Sequence, residues 1–189
     1  MIKRALIITG NLVQDHEYIY PYYRLLEQEF EVTVALKDGK SCLGILGTKI
    51  PSDDRCRVIS YEELGNVDAD LMVLPGGAKC MEKLRQEPVV LNFIKQWDDN
   101  GKIIASICHG AQLLISARVV SGRDISAYYS IKDDVNNAGA NYIDAPFVVS
   151  RNIISSPHYK YLGEWMKEVF RSFDLKNKIQ ENDRENPNF

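Results

Sequence analysis

Residues 103 to 117 read IIASICHGAQLLISA, which sets a cysteine beside a histidine between a strand-like apolar run and a helix-like apolar run. A thiolate is a strong nucleophile and an imidazole carries protons near neutral pH, so Cys108 and His109 are the first candidates for covalent chemistry. The stretch Ser-Ile-Cys-His-Gly has the layout of a nucleophile elbow, a sharp turn from strand to helix, with Gly110 relieving crowding where the helix starts. A sulfur at a helix N-terminus meets unpaired N–H groups and the positive end of the dipole, both of which favour the thiolate. The competing reading is an inert core thiol, because free cysteine is among the most buried residue types.

Two more loops supply partners. After the strand-like DLMVL come Pro75, Gly76 and Gly77, and two glycines there can aim N–H groups at an anion as an oxyanion hole requires. After ALIIT come Gln14, Asp15 and Glu17, at or just inside a first helix. A half-buried Glu17 facing Cys108 would stay protonated and donate to the thiolate, or act as a general base. Cys42, Cys56 and Cys80 lack such company and read as structural free thiols, although Cys80 stands only three residues after Gly77.

The elements that must position these residues follow a βαβ rhythm. RALIIT (4 to 9), a helical 17 to 30 and EVTVAL (31 to 36) open it; DLMVLPGG, a helical 87 to 101 and KIIAS (102 to 106) continue it. The strand runs are largely apolar, as expected where both faces of a parallel sheet are covered. A helix from Cys108 to about Arg118, a strand-like DISAYY, a helical IKDDVNNAG, a hairpin PFVVSRNIISS and an amphipathic helix 161 to 173 complete a single domain over 1 to 174. The last stretch, 175 to 189, reads as a polar, frayed tail. The Tyr-rich YIYPYY reads as a helix face packed on the sheet or on a partner subunit, and His16 as a surface residue.

Composition narrows the function. The chain has 189 residues, 45% of them hydrophobic, and a formal charge of −3, with scattered rather than clustered cations. No basic footprint points to nucleic acid, and no run approaches the roughly 18 to 20 apolar residues of a membrane span. The N-terminus shows no secretory pattern, so a cytoplasmic location is expected. No Cys-x-x-Cys pair suggests zinc, and neither a metal nor a cofactor is expected.

The blocks EYIYP (17 to 21), VLPGG (73 to 77), ASICHGAQLLISA (105 to 117) and IKDDVNNAGA (131 to 140) together resemble the ThiJ/PfpI family, within the class I glutamine-amidotransferase-like superfamily. The resemblance runs in order from about residue 3 to 172. It implies a flavodoxin-like three-layer α/β/α sandwich with a mostly parallel sheet, Cys108 as nucleophile followed by His109, Glu17 as its acid, and Gly76 and Gly77 as the oxyanion loop. It also implies pocket-side places for Tyr128 and Asp134, and assembly as a homodimer or higher homo-oligomer. Family members are described as proteases, glyoxalases, deglycases, chaperones and oxidative-stress sensors.

Departures from the family pattern narrow this list. Gln14 stands where one branch carries a second acid, and Met81, with Glu82 one residue off, where a protease triad would borrow a glutamate. Lys160 stands where amidotransferases complete a His-x-Glu pair with His158. Pro157, His158 and Tyr159 replace an arginine usual in the nearest branch, so the pocket mouth differs. The resemblance therefore implies a cysteine-dependent enzyme acting on a small electrophilic carbonyl, a glycated adduct or a small amide, with Gln14, Tyr128 and His158 as candidate substrate contacts. The alternatives are an oxidative-stress sensor working through Cys108 oxidation, a non-catalytic interaction module, and a disfavoured cysteine peptidase.

Overall fold

The computed structural model describes residues 2–185. Its central sheet has seven strands: β1 (Lys3–Ile8), β2 (Phe30–Leu36), β3 (Arg57–Ser60), β4 (Leu71–Leu74), β5 (Ile103–Ile107), β6 (Val148–Ser150) and β7 (Ile153–Ser156). They lie in the order β6-β7-β5-β4-β1-β2-β3, and every neighbouring pair is parallel except the hairpin β6-β7. The expected hairpin is therefore present, and its second strand joins the parallel core.

β4 and β5 are buried along their whole length, and β1 over its last four residues, which is why these stretches are apolar apart from the buried Ser106 of β5. The helices α1 (Asp15–Glu27), α2 (Ala78–Leu84), α3 (Pro88–Asp99), α4 (Ala111–Ser116), α5 (Lys132–Asn137) and α6 (Leu162–Glu185) cover the sheet. From β1 the chain moves through α1 to β2 on one side; from β4 it moves through α2 and α3 to β5 on the other. Right-handed crossovers in opposite directions put these helices on opposite faces. α1 packs against α6, and α4 packs against α2 and α3. The strand order reverses between β1 and β4, the switch point where α/β folds open a crevice beyond the strand ends.

Two expectations need correcting. DISAYY forms only a two-residue strand, Asp124–Ile125, paired with Asn141–Tyr142 in a separate small sheet. Ser126 instead bonds across to the core, its N–H donating to Ser155 Oγ at 2.9 Å, which ends the strand. The last helix does not stop at Phe173 but continues to Glu185, with Leu175 and Ile179 about half exposed. Once its first turns are anchored by Trp165 and Phe170, each further residue adds a backbone hydrogen bond without a new nucleus, and the Lys176 ammonium donates to the Gly101 carbonyl. Residues 186–189 of the expected tail lie outside the described residues.

A buried ion pair ties the sheet edge to α3. Arg123 donates to Asp98 at 2.8 Å and to Asn152 Oδ1 at 2.9 Å, while Asn152 Nδ2 donates to Asp98 and to the Lys102 carbonyl. Asp98→Ala strands a guanidinium that is 8% exposed, and the expected cost is about 3 kcal/mol or more of unfolding free energy, read by urea denaturation.

Candidate active site

β5 delivers the chain to Cys108 in extended conformation, and the backbone then turns sharply. Cys108 has φ +59°, in the left-handed region that a non-glycine residue occupies at a cost of order 1 kcal/mol. A single 3₁₀ turn, Cys108–Gly110, leads into α4. A Cβ at Gly110 would lie 2.4 Å from the Leu74 carbonyl oxygen, so only glycine lets the turn press against the end of β4. The Tyr128 N–H donates to the Cys108 carbonyl at 3.3 Å and closes the far side of the turn.

α1 brings the acid from the other side of the switch point. Gln14 precedes the helix, and Glu17 sits in its first turn with no solvent exposure. The Gly76 N–H donates to Glu17 Oε2 at 2.9 Å. A Cβ on Gly76 would stand 2.6 Å from that oxygen, 2.8 Å from the His109 nitrogen and 2.9 Å from Cys108 Cβ, so three loops meet at this glycine. Gly77 (φ +97°) presses on Gln14 in the same way, its Cβ position being 2.6 Å from the Gln14 nitrogen. The Gly76 N–H is committed to Glu17, and the N–H groups that serve the Cys108 sulfur are those of His109 and Gly77.

Electrostatics at the pair oppose the simple dipole argument. Burial raises the Glu17 carboxyl to about 7 even though the Cys108 thiol and the Gly76 N–H both stabilise its charge. Burial also pushes the Cys108 thiol up, the Glu17 charge adds to the push, and the two N–H groups pull against it. Desolvation and like charge therefore make double ionisation unfavourable, and the two groups titrate as one unit.

The cavity over the pair has a volume of about 260 Å³. His109 Nδ1 lies 3.4 Å from Cys108 Sγ, and burial lowers the imidazole pKa. Gln14, Glu17, Gly77, Tyr128 and His158 all line the cavity, whereas Gly76 lies behind the wall on Glu17. Asp134 is exposed on α5 and does not reach it. Cys80 is buried on α2 beside Gly10, its thiol pushed by burial up to about 12, and lines a different cavity. All four cysteines are free thiols.

Two contributors, His16 and Ile45, escaped the sequence reading, and Tyr159, expected only to alter the mouth, takes a direct part. Tyr159 lines the cavity, and His16, expected at the surface alone, stacks on it at 5.2 Å between ring centroids. Ile45 reaches the cavity from the loop between two short strands, Cys42–Leu43 and Lys49–Ile50. That loop is held by buried Asp15, whose carboxylate accepts the Leu46 N–H at 2.8 Å and the Thr48 N–H at 2.9 Å. Only the acid two residues before Glu17 hinted at it. Asp15→Ala removes both acceptors, and hydrogen exchange of the Leu46 and Thr48 amides should accelerate by about tenfold or more, seen by mass spectrometry.

A doubly wound parallel sheet with a cysteine in a strained strand-to-helix turn, backed by a buried glutamate at the switch point, places the molecule among flavodoxin-like α/β proteins with a thiol-centred site. More particularly, the chain belongs to the DJ-1/PfpI family, whose profile matches residues 3–172. It is 36% identical over 168 residues to the deglycase PfpI of Pyrococcus furiosus, covering 89% of this chain and 98% of that one. It is 32% identical over 173 residues to the protein/nucleic acid deglycase 2 of Escherichia coli, covering 90% and 98%. The crystal structure of Drosophila melanogaster DJ-1beta superposes with a TM-score of 0.83 at 25% identity, covering 97% of each chain. Among the described residues no helix is long and apolar enough to cross a membrane.

Proposed function

We propose that this protein is a deglycase-type enzyme that removes a small carbonyl compound from an amine through a Cys108 thiolate at a nucleophile elbow. The observation that carries the reading is the fully buried Glu17 carboxyl, bound by Gly76 and set against the Cys108 thiol with its pKa raised to about 7. The relatives named deglycases supply the reaction class.

With one proton shared between them, the pair carries a single negative charge at neutral pH. The thiol, held protonated at rest by burial and by the Glu17 charge, passes its proton to the Glu17 carboxylate, and the His109 and Gly77 N–H groups favour the thiolate so formed. In the reaction the sulfur–carbon bond forms, the carbon–nitrogen bond of the adduct breaks, and the Glu17 proton leaves with the amine. The same two N–H groups stand ready for negative charge that develops on the adduct oxygen. His109, kept neutral at pH 7 by burial and 3.4 Å from the sulfur, is the base available for releasing the bound fragment.

The test is amine release from a purified methylglyoxal adduct of an acetylated lysine amide. It is run against an enzyme-free blank with wild-type, Cys108→Ser and Glu17→Gln proteins. Equal rates in all three proteins would overturn the reading.

A further inference from the structure

From the cavity beyond Cys108 an unbroken ladder of rings runs outward: His109, Tyr128, His158 and Tyr159 line the cavity, and His16 and Tyr129 extend the ladder outside it. His109 and Tyr128 have centroids 4.8 Å apart, Tyr128 and His158 5.9 Å, His158 and Tyr159 4.0 Å, and Tyr159 and His16 5.2 Å. Tyr129 flanks Tyr128 at 4.4 Å and accepts a hydrogen bond from its hydroxyl at 3.2 Å. All three histidines of the chain belong to this ladder. Packing alone does not account for it, because Tyr129 keeps 70% and Tyr159 41% of its surface in water.

The charge around the ladder is as telling as its shape. Among the described residues no lysine or arginine lines the cavity. Lys160 acts on His158 and Glu82 on His109, one charge of each sign, and the Lys160 ammonium lies 4.7 Å from the Tyr161 ring centroid. The base of the cavity holds the Cys108 and Glu17 pair, the one pair of acidic groups in its wall. A carboxylate or phosphate entering here finds no cation to pair with and meets a negative floor. A planar cation finds exposed tyrosine faces and an attractive floor.

We propose that the His16–Tyr159–His158–Tyr128–Tyr129 ladder is a stacking platform that selects substrates bearing a planar cationic group, of guanidinium or amidinium type, and rejects carboxylates and phosphates. Among protein side chains that group is arginine's, which stacks on aromatic faces where an ammonium does not. The inference deepens the proposed deglycase reading and rests on it only for Cys108 being the reacting centre.

Benzamidine, benzamide and benzoate have nearly the same shape and carry charges of +1, 0 and −1, and none reacts with a thiol. Their affinities for the wild-type protein, measured by NMR titration at pH 7.5, should fall in that order, with benzamidine about tenfold or more tighter than benzoate. Methylguanidinium should bind more tightly than methylammonium. Tyr129→Ala and Tyr159→Ala should each weaken benzamidine several-fold, and Tyr159→Phe should restore it, because the ring and not the hydroxyl is the platform. Benzoate binding as tightly as benzamidine, or benzamidine affinity indifferent to both alanine variants, would overturn the proposal. No turnover enters these measurements, so failure of the enzyme reading appears in the Cys108→Ser assay and leaves these affinities where they are.

Discussion

Cys108→Ser protein is expected to lose amine-releasing activity by at least about 10⁴-fold, because a serine hydroxyl in the same turn is not ionised by a carboxyl whose own pKa lies near 7. The turn itself should survive, since the substitution is nearly isosteric and the left-handed backbone at φ +59° is set by β5, Gly110 and the Tyr128 N–H rather than by the sulfur. Unchanged urea and thermal transitions alongside the lost activity would show that chemistry and not folding was removed. Combining Cys108→Ser with Glu17→Gln should cost no more than the first change alone, as groups that act as a unit are not additive. Substantial residual activity in the serine protein, well above the blank, would move the reaction away from Cys108.

The second large effect belongs to Glu17. Glu17→Gln should lower turnover by about 10²-fold or more, because an amide in that place can donate a hydrogen bond to sulfur but cannot hand over a proton. Alkylation of Cys108 by iodoacetamide should change much less, and that split between turnover and thiol reactivity separates proton delivery from simple packing. A stability signature accompanies it. Burial raises the folded carboxyl from its ordinary 4.5 to about 7, so the folded state holds a proton that the unfolded chain releases. Stability from this group is fully present below about pH 4.5 and is lost as pH rises towards about 7. The glutamine protein lacks this titration, so its stability relative to wild type should improve between those two pH values, as measured by denaturant unfolding at each. A constant difference across the window would mean that Glu17 does not carry the raised pKa.

These two residues also mark how far the sequence alone reaches. The alternation of apolar strands and amphipathic helices, the elbow at Cys108, the paired glycines after β4 and the acid at the start of α1 were all legible, because each is a local pattern. Burial on both faces writes itself as an apolar run in β4 and β5, and a tight turn writes itself as Gly110. Convergence of the three loops followed from one further rule, that parallel strands place their outgoing loops on one edge.

What only the tertiary structure decided depends on distances between segments far apart in the chain. Which glycine N–H faces Glu17 and which faces sulfur is a matter of a few ångströms at Gly76, and no spacing in the sequence encodes it. The pKa directions of Glu17 and Cys108 follow from desolvation, which exists only once the site is enclosed. Asp15 looked like a neighbour of Glu17 and proved to be the anchor of a loop some thirty residues later. His16, His158 and Tyr159 form one ladder because α1 and the segment after β7 meet over the cavity. Local sequence thus determined the elements and the strand-to-helix turn that carries Cys108, while the packing of those elements determined the protonation and the shape of the mouth, since both arise from long-range contacts that exclude water.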